Sequence, residues 1–429
     1  MITEPRIYSG KSSLRDSSSN QEGEDSEHRT LNVQHRTSKL LIRPFEIIFK
    51  GPLRFALGRL IPSASPRIFY GYERIPSRNE PASGGIVKLQ DLSEVYPNCR
   101  WRANTLYLIS SCYPWTVRWQ VRVARFFGAK IILNQNGVAY PAWKPDGWEL
   151  ENERAAWVHR RADAVVYQAE FCRRCAMDWL KVDEPKVSRV LLNPVDLEVF
   201  APKRVADEED SSPTASSVLA TEATQITSFC ILLAGSHQFA YRVRTALETL
   251  AQLDEEFVMI VAGAYNWGDS QESALAEAKE WAVSLGVSDR VEFQGRYLQS
   301  EAPALFAKAD VLLHTKVMDP CPRLVAEALA SGLPVVYAAS GGLPEMVSSD
   351  AGVGVESDEN FQEEQSADPK AFAQAIETVR TNHDSFSQAA RRCAEERFGR
   401  IAWIAAHGEI FCSIRQQADE SRVVKDSER

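Results

Sequence analysis

Apolar positions along this chain follow two different periods. From about residue 66, short runs of consecutive apolar residues alternate with stretches where apolar residues return every third or fourth position. The first pattern is that of strands buried on both faces, the second that of amphipathic helices. RIFYGYE, NTLYLISS, AKIILNQN, DAVVYQA and SRVLLNP are the strand candidates of a first series, with WTVRWQVRVARFF and LENERAAWVHRRA as helices between them. A second series runs FCILLAGS, FVMIVAGAY, RVEFQGR, DVLLHTK and LPVVYAAS, again with helical stretches between. Strands that alternate with helices predict an α/β chain built on parallel sheets. Two such series predict two Rossmann-like units, and in open sheets of that kind ligands bind outside the carboxyl ends of the strands.

The segments outside the two series differ in kind. Residues 1–38 are polar, with SSSNQEGEDSE at their centre, and predict a disordered tail because they hold too little apolar surface to offset ordering entropy. Residues 39–65 form a basic amphipathic arm. On a helical wheel Arg43, Glu46, Lys50 and Arg54 share one face, a pattern that suits an anionic membrane surface as well as an arm packed on its own domain. Pro44 and Gly51-Pro52 interrupt that helix. Residues 201–227, with the acidic run Asp207-Glu208-Glu209-Asp210, read as a linker or insertion, and residues 417–429 as a polar tail. The first domain then spans 66–200 and the second 228–397.

Composition narrows the partners. With 49 basic and 58 acidic residues the net charge is -9, against the basic surplus that a long nucleic acid requires, so no nucleic-acid partner is expected. Eight scattered cysteines in 429 residues predict reduced thiols, and the Cys172-x-x-Cys175 pair lies in a helical stretch with no second pair at zinc spacing. No run approaches the ~18 apolar residues of a membrane span and the start lacks a signal-peptide pattern, so a cytoplasmic protein is expected, with peripheral membrane contact through residues 39–61.

The densest chemistry lies in residues 314–347, HTKVMDPCPRLVAEALASGLPVVYAASGGLPEMV. A strand ends near Thr315, a loop carries Asp319, and Pro322 suits the first position of a helix over Arg323–Ala330 that Ser331-Gly332 stops. Gly341-Gly342 precede a second helix start at Leu343. Helix amino termini favour phosphate, and Asp319 and Glu327 offer acceptors to sugar hydroxyls.

This stretch resembles the donor-site signature of retaining glycosyltransferases of the GT-B fold, the group 1 family. An acid, seven residues, Glu-Ala, a small residue, Gly-x-Pro-Val and Gly-Gly-x-x-Glu are matched by Asp319, Glu327, Ala328, Gly332, Pro334, Val335, Gly341, Gly342 and Glu345. The resemblance implies two Rossmann-like domains facing across a cleft, with carboxy-terminal helices, residues 398–416, crossing back to the first. It implies that Glu327 holds the nucleotide ribose and Asp319, where the family has Glu, reaches the donor sugar. Gly341 and Gly342 would let backbone approach the diphosphate, Arg323 would sit beside the donor, and Gly295, Arg296 and Tyr297 would meet the base. After Gly235 the family often has Arg, whereas Ser236 stands here; Arg242 is the substitute cation, with Arg244 behind it and His237 a lesser candidate. On the acceptor side Gly84 and Gly85 match a glycine-rich loop, and Asn136 stands near a slot where relatives carry His.

The reaction so implied is a metal-independent, retaining transfer of a hexose from a nucleoside diphosphate sugar to a glycan or lipid-linked acceptor, with no cofactor. A nucleotide-sugar epimerase of the same fold and a non-catalytic nucleotide-sugar or glycan binder remain alternatives. A nicotinamide dehydrogenase is disfavoured, because no Gly-x-Gly-x-x-Gly opens either series.

Overall fold

The computed structural model describes residues 49–202, apart from Pro62, Ala64, Asn79, Pro81 and Ser83, and residues 228–427, with side chains as far as Arg415. The expected tail 1–38, the arm as far as residue 48 and the linker residues 203–227 lie outside the described residues. Contacts divide the chain into units 1–53 and 54–429. Residues 49–53 of the first are helical, Gly51 and Pro52 included, where the sequence implied an interruption.

The larger unit opens on helical residues 54–60 (α1). There follow β1 (Ile68–Phe69), α2 (Gly84–Val95), β2 (Thr105–Ile109), α3 (Val117–Phe126), β3 (Lys130–Gln135), α4 (Trp148–His159), β4 (Ala164–Tyr167), α5 (Glu170–Leu180) and β5 (Ser188–Val190). These strands form a parallel sheet in sequential order, β1 to β5. β1 is shorter than RIFYGYE predicts because Gly71 takes φ +82° and turns the chain out of the sheet. Arg54 of α1 packs on its own domain: it is buried, donates to Arg100 O at 2.6 Å, pairs with Glu73 and lies over the Phe69 ring. Of the two readings of the arm, Arg54 therefore follows the one packed on its own domain.

The second series continues with β6 (Phe229–His237), α6 (Ala240–Leu250), β7 (Phe257–Tyr265), α7 (Gln271–Ser284), β8 (Val291–Gln294), α8 (Ala302–Phe306) and β9 (Val311–His314). Then come α9 (Arg323–Ala330), β10 (Val335–Ala339), α10 (Leu343–Met346), β11 (Gly352–Glu356), α11 (Pro369–Thr381) and α12 (His383–Arg397). The sheet is parallel, ordered β11-β10-β9-β6-β7-β8. β11 was not expected, since GVGVE has no apolar run; its glycines admit close neighbours, and a Cβ on Gly354 would touch Ala339 Cβ at 3.1 Å. Central strands β2, β4 and β9 are buried throughout, as continuous apolar runs require.

The last helix, α13 (Arg400–Ser427), packs on the first sheet. Trp403, Ile404, Ile410, Phe411 and Ile414 are buried with Tyr107, Ile132 and Val166, and at roughly 2 kcal/mol per large apolar side chain this contact dominates its docking. His407 at its centre donates from Nδ1 to Trp403 O at 2.9 Å and accepts at Nε2 from the Tyr107 hydroxyl at 3.0 Å.

Candidate active site

The carboxyl ends of β6 and β9 and the start of α6 bring the cations of the second domain together. Gly235 turns at φ +108°, and Ser236 presents its carbonyl to Arg242 Nη1 at 2.6 Å. Arg242 is 3% exposed, so the alternative of a solvated helix arginine is excluded, and its Nε has no partner among the described residues. Burial lowers its proton affinity, which Tyr241, Asp319 and Tyr297 partly restore. Thr315 Oγ1 donates to the Arg242 carbonyl at 2.9 Å and ties β9 to α6. Arg244 does not stand behind it: it is exposed and pairs with Glu248 at 3.0 Å, one helical turn along the solvent side. His237 does not enter the cavity either. It is buried, donates from Nε2 to Ala262 O at 3.2 Å, and burial pushes its pKa down to about 3.

Asp319 lies on the loop after β9, 9% exposed. His314 Nε2 is 3.3 Å and Lys316 Nζ 3.2 Å from its Oδ2. Burial alone would raise its pKa, but Lys316, His314 and Arg242 hold the carboxyl well below the usual range, so it is ionised. His314 is buried, and burial lowers its pKa, leaving it a neutral donor to Asp319. His314 and Lys316 were overlooked in the sequence although they flank the signature.

α9 begins one residue later than Pro322 suggests. Pro322 is the extended cap residue, with ψ 120°, and Arg323 opens the helix. Arg323 is not free to bind a donor: its Nη1 is 2.9 Å from Asp91 Oδ2 of α2 and its Nε 2.9 Å from Glu327 Oε1. Asp91 is fully buried and also bound by Arg78 at 2.8 Å, so Arg323 locks the Glu327 carboxylate to the first domain. Burial raises the Glu327 pKa, and Arg323 opposes that shift.

Gly341 and Gly342 are tight positions for a different reason from the one expected. Gly341 has φ +68° and its Cβ would stand 2.6 Å from Asp319 O, while a Cβ on Gly342 would collide with Pro320 O. The backbone they approach is the Asp319 loop itself, and Gly342 N donates to Asp319 O at 3.0 Å. Glu345, at the end of the signature, accepts from Glu170 N at 2.6 Å and Phe171 N at 2.7 Å, capping α5 of the first domain. Asn193 likewise crosses to Cys321 O at 2.6 Å. Gly295 and Arg296 are exposed beyond β8, and Tyr297 is partly buried near Arg242 and Glu327, which leaves this loop at the outer end of the same sheet edge.

In the first domain α2 starts at Gly84, which is exposed and unconstrained, whereas a Cβ on Gly85 would meet Cys112 Sγ at 2.7 Å. Three residues on, Lys88 is 2% exposed, with Nζ donating to Asn134 Oδ1 at 2.8 Å and Asn136 Oδ1 at 3.2 Å. Burial pushes its pKa down to about 8. No sequence signal marked Lys88 or Asp91; both become visible only when α2 meets β3 and α9. Asn136, with Gln238, Lys316, Met318 and Pro320 from the second domain, lines a cavity of about 690 Å³ between the two sheets. Cys172 and Cys175 are buried helix residues, and burial raises both thiol pKa values. Among the described residues no group of three or more His, Cys, Asp or Glu is arranged to hold a metal, and no helix is long and apolar enough to cross a membrane.

Two parallel Rossmann-like sheets with a shared cavity and a carboxylate-bearing signature on the second define the GT-B class. Residues 225–396 match the family model for glycosyl transferases group 1, so the second domain is a glycosyl transferases group 1 domain. The mannosylfructose-phosphate synthase of Agrobacterium fabrum is 31% identical over 84 residues, which is 20% of this chain and 18% of that protein. The sucrose-phosphate synthase structure from Thermosynechococcus elongatus superposes with a TM-score of 0.59 at 16% identity over 77% of each chain. The Anabaena protein HepE in complex with UDP-glucose gives 0.54 at 16% identity, covering 76% of this chain and 82% of that one. At such identities the two structures speak for the fold.

Proposed function

We propose that the chain transfers a hexose from a nucleoside diphosphate sugar to a glycan or lipid-linked acceptor, with retention at the anomeric carbon and without a metal. The observation that carries this reading is a pair of cations, buried Arg242 and partly buried Lys316, gathered around ionised Asp319 at the strand ends of a group 1 domain. Charge builds on the departing diphosphate as the glycosidic bond breaks, and preorganised cations in a dry site stabilise it most. Arg242 keeps Nε for that oxygen, and Lys316 can turn from Asp319 toward it. Asp319 is placed to accept from a sugar hydroxyl. Glu327 uses Oε1 for Arg323 and has Oε2 for the ribose. Asn136, which cannot take a proton as a base, would orient the acceptor by hydrogen bonds. The UDP-glucose in HepE supports uridine donors as the first to test.

The test is a thermal-shift panel of UDP, GDP and ADP with their sugars, followed by transfer assays with the binder in the presence of EDTA. A nucleotide at about 100 times its Kd stabilises the fold by close to ~3 kcal/mol. Arg242→Lys and Arg242→Ala are expected to lower kcat more than about tenfold, and EDTA to leave it unchanged. No stabilisation by any of the three nucleotides overturns the reading. Binding without either transfer or sugar release, by every donor that binds, would identify a non-catalytic binder, and an isomerised donor an epimerase.

A further inference from the structure

Helix α3 contains no acidic residue. Val117, Val121, Val123 and Ala124 form its buried edge. Trp115, Arg118, Trp119, Arg122 and Phe126 recur at helical spacing along its outer edge, with Arg125 beside them, and all are exposed. The cationic character continues onto the end of α4. The guanidinium carbons of Arg118, Arg122 and Arg161 stand 5.9, 5.3 and 4.0 Å from the Trp157 ring centroid. Arg125 Nη1 donates to Arg161 O at 2.9 Å, and exposed Arg160 is the neighbouring residue.

Little counter-charge answers these arginines. Glu153 pairs with Arg118 at 3.0 Å, and among the described residues Arg122, Arg125, Arg160 and Arg161 form no ion pair. Desolvation, and after it the guanidiniums of Arg125, Arg122, Arg160 and Arg118, lowers the proton affinity of Arg161, as gathered like charges must. The chain as a whole carries -9, so this concentration is local and opposes the general charge. Large apolar side chains interleave with it: Phe126 is 78%, Trp115 70% and Trp119 40% exposed.

We propose that the outer face of α3, together with the end of α4, docks on an anionic lipid bilayer, its arginines at the phosphate headgroups and Trp115, Trp119 and Phe126 in the interfacial layer. Arginine answers the headgroup charge, and aromatic side chains are favoured at the boundary where one end is apolar and the other wet. A convex helix face fits a flat surface, whereas a single-stranded nucleic acid is held in a groove that tracks its backbone. Arg118 and exposed Leu150 also line the mouth of the cavity, so docking brings that mouth to the headgroup layer. The link to a lipid-linked acceptor rests on the proposed transfer reaction; the docking does not.

Cosedimentation of the full chain with phosphatidylcholine vesicles, with and without phosphatidylglycerol, tests it. Binding is expected only with phosphatidylglycerol and is expected to weaken with salt. Arg122→Glu with Arg125→Glu lowers vesicle affinity at least about tenfold, with Phe126→Ser adding to the loss, while the melting temperature holds because these side chains are exposed. If the charge-reversed chain does not fold, Arg122→Gln with Arg125→Gln is read in the same assay and loses affinity in the same direction. Equal binding by variant and parent overturns the proposal and moves the anchor elsewhere in the chain. So does binding of a single-stranded oligonucleotide without binding of vesicles. Nucleotide-induced thermal shifts, read on the same variants, report on the donor site separately.

Discussion

Lys88 is a buried cation held within the first domain, between α2 and the end of β3. It is a cation with amide oxygens as its hydrogen-bond partners, beside Asn136 at the cavity. Its pKa falls from the ordinary 10.5 to about 8, so the folded state binds fewer protons than the unfolded one between those values. Stability contributed by this group therefore rises with pH across that window, by at most about 1.4 kcal/mol per pH unit. In Lys88→Met the rise is absent. Urea midpoints at pH 8 and 9.5 are expected to climb for the parent relative to the variant, and equal slopes would exclude Lys88 as the source. Arg323 is the other decisive residue, because its pairing with Asp91 and Glu327 withdraws it from donor binding and makes it a positioning residue for Glu327.

At the scale of elements, α5 is capped by a carboxylate from the opposite domain. Glu345 accepts from the N–H groups of both Glu170 and Phe171, where the helix's own Ala169 offers no side-chain cap. Removing a capping acceptor costs about 1 kcal/mol, and charge at a helix amino terminus adds to it. Glu345→Ala is expected to lower stability by about 1–2 kcal/mol in urea and to speed hydrogen exchange in the first turn of α5. Exchange confined to α10 would show that the cap carries no such weight. The signature glutamate thus holds the domains together, while Gly341 and Gly342 hold the Asp319 loop against α10.

Across the whole molecule, His314 and three further buried histidines, all with pKa values lowered by burial, make the fold acid-sensitive. His159, His237 and His407 have pKa values lowered by burial to about 4, 3 and 4, from an ordinary 6.5. Each is neutral when folded, so its contribution is complete above pH 6.5 and is lost as pH falls toward the folded value. Urea midpoints are expected to drop between pH 6.5 and 5, with His407→Gln flattening the drop by up to about 1.4 kcal/mol per pH unit. An unchanged slope in that variant would assign the acid loss to other groups. The strand series, the parallel sheets, the α9 helix and the signature loop were legible in the sequence, because apolar periodicity and the run from Asp319 to Glu345 are local properties of the chain. β11 was not, since its strand character comes from pairing with β10 and not from its own residues. The sequence by itself determined which residue types meet at the strand ends; tertiary structure alone decided which of them face the cavity. His237 and Arg244 turned away, Arg323 was taken up by Asp91, and Lys88, from a helix more than 200 positions before the signature, is buried behind Asn136, which lines the cavity. The physical reason is that burial and charge pairing depend on neighbours remote in sequence, which no local pattern records.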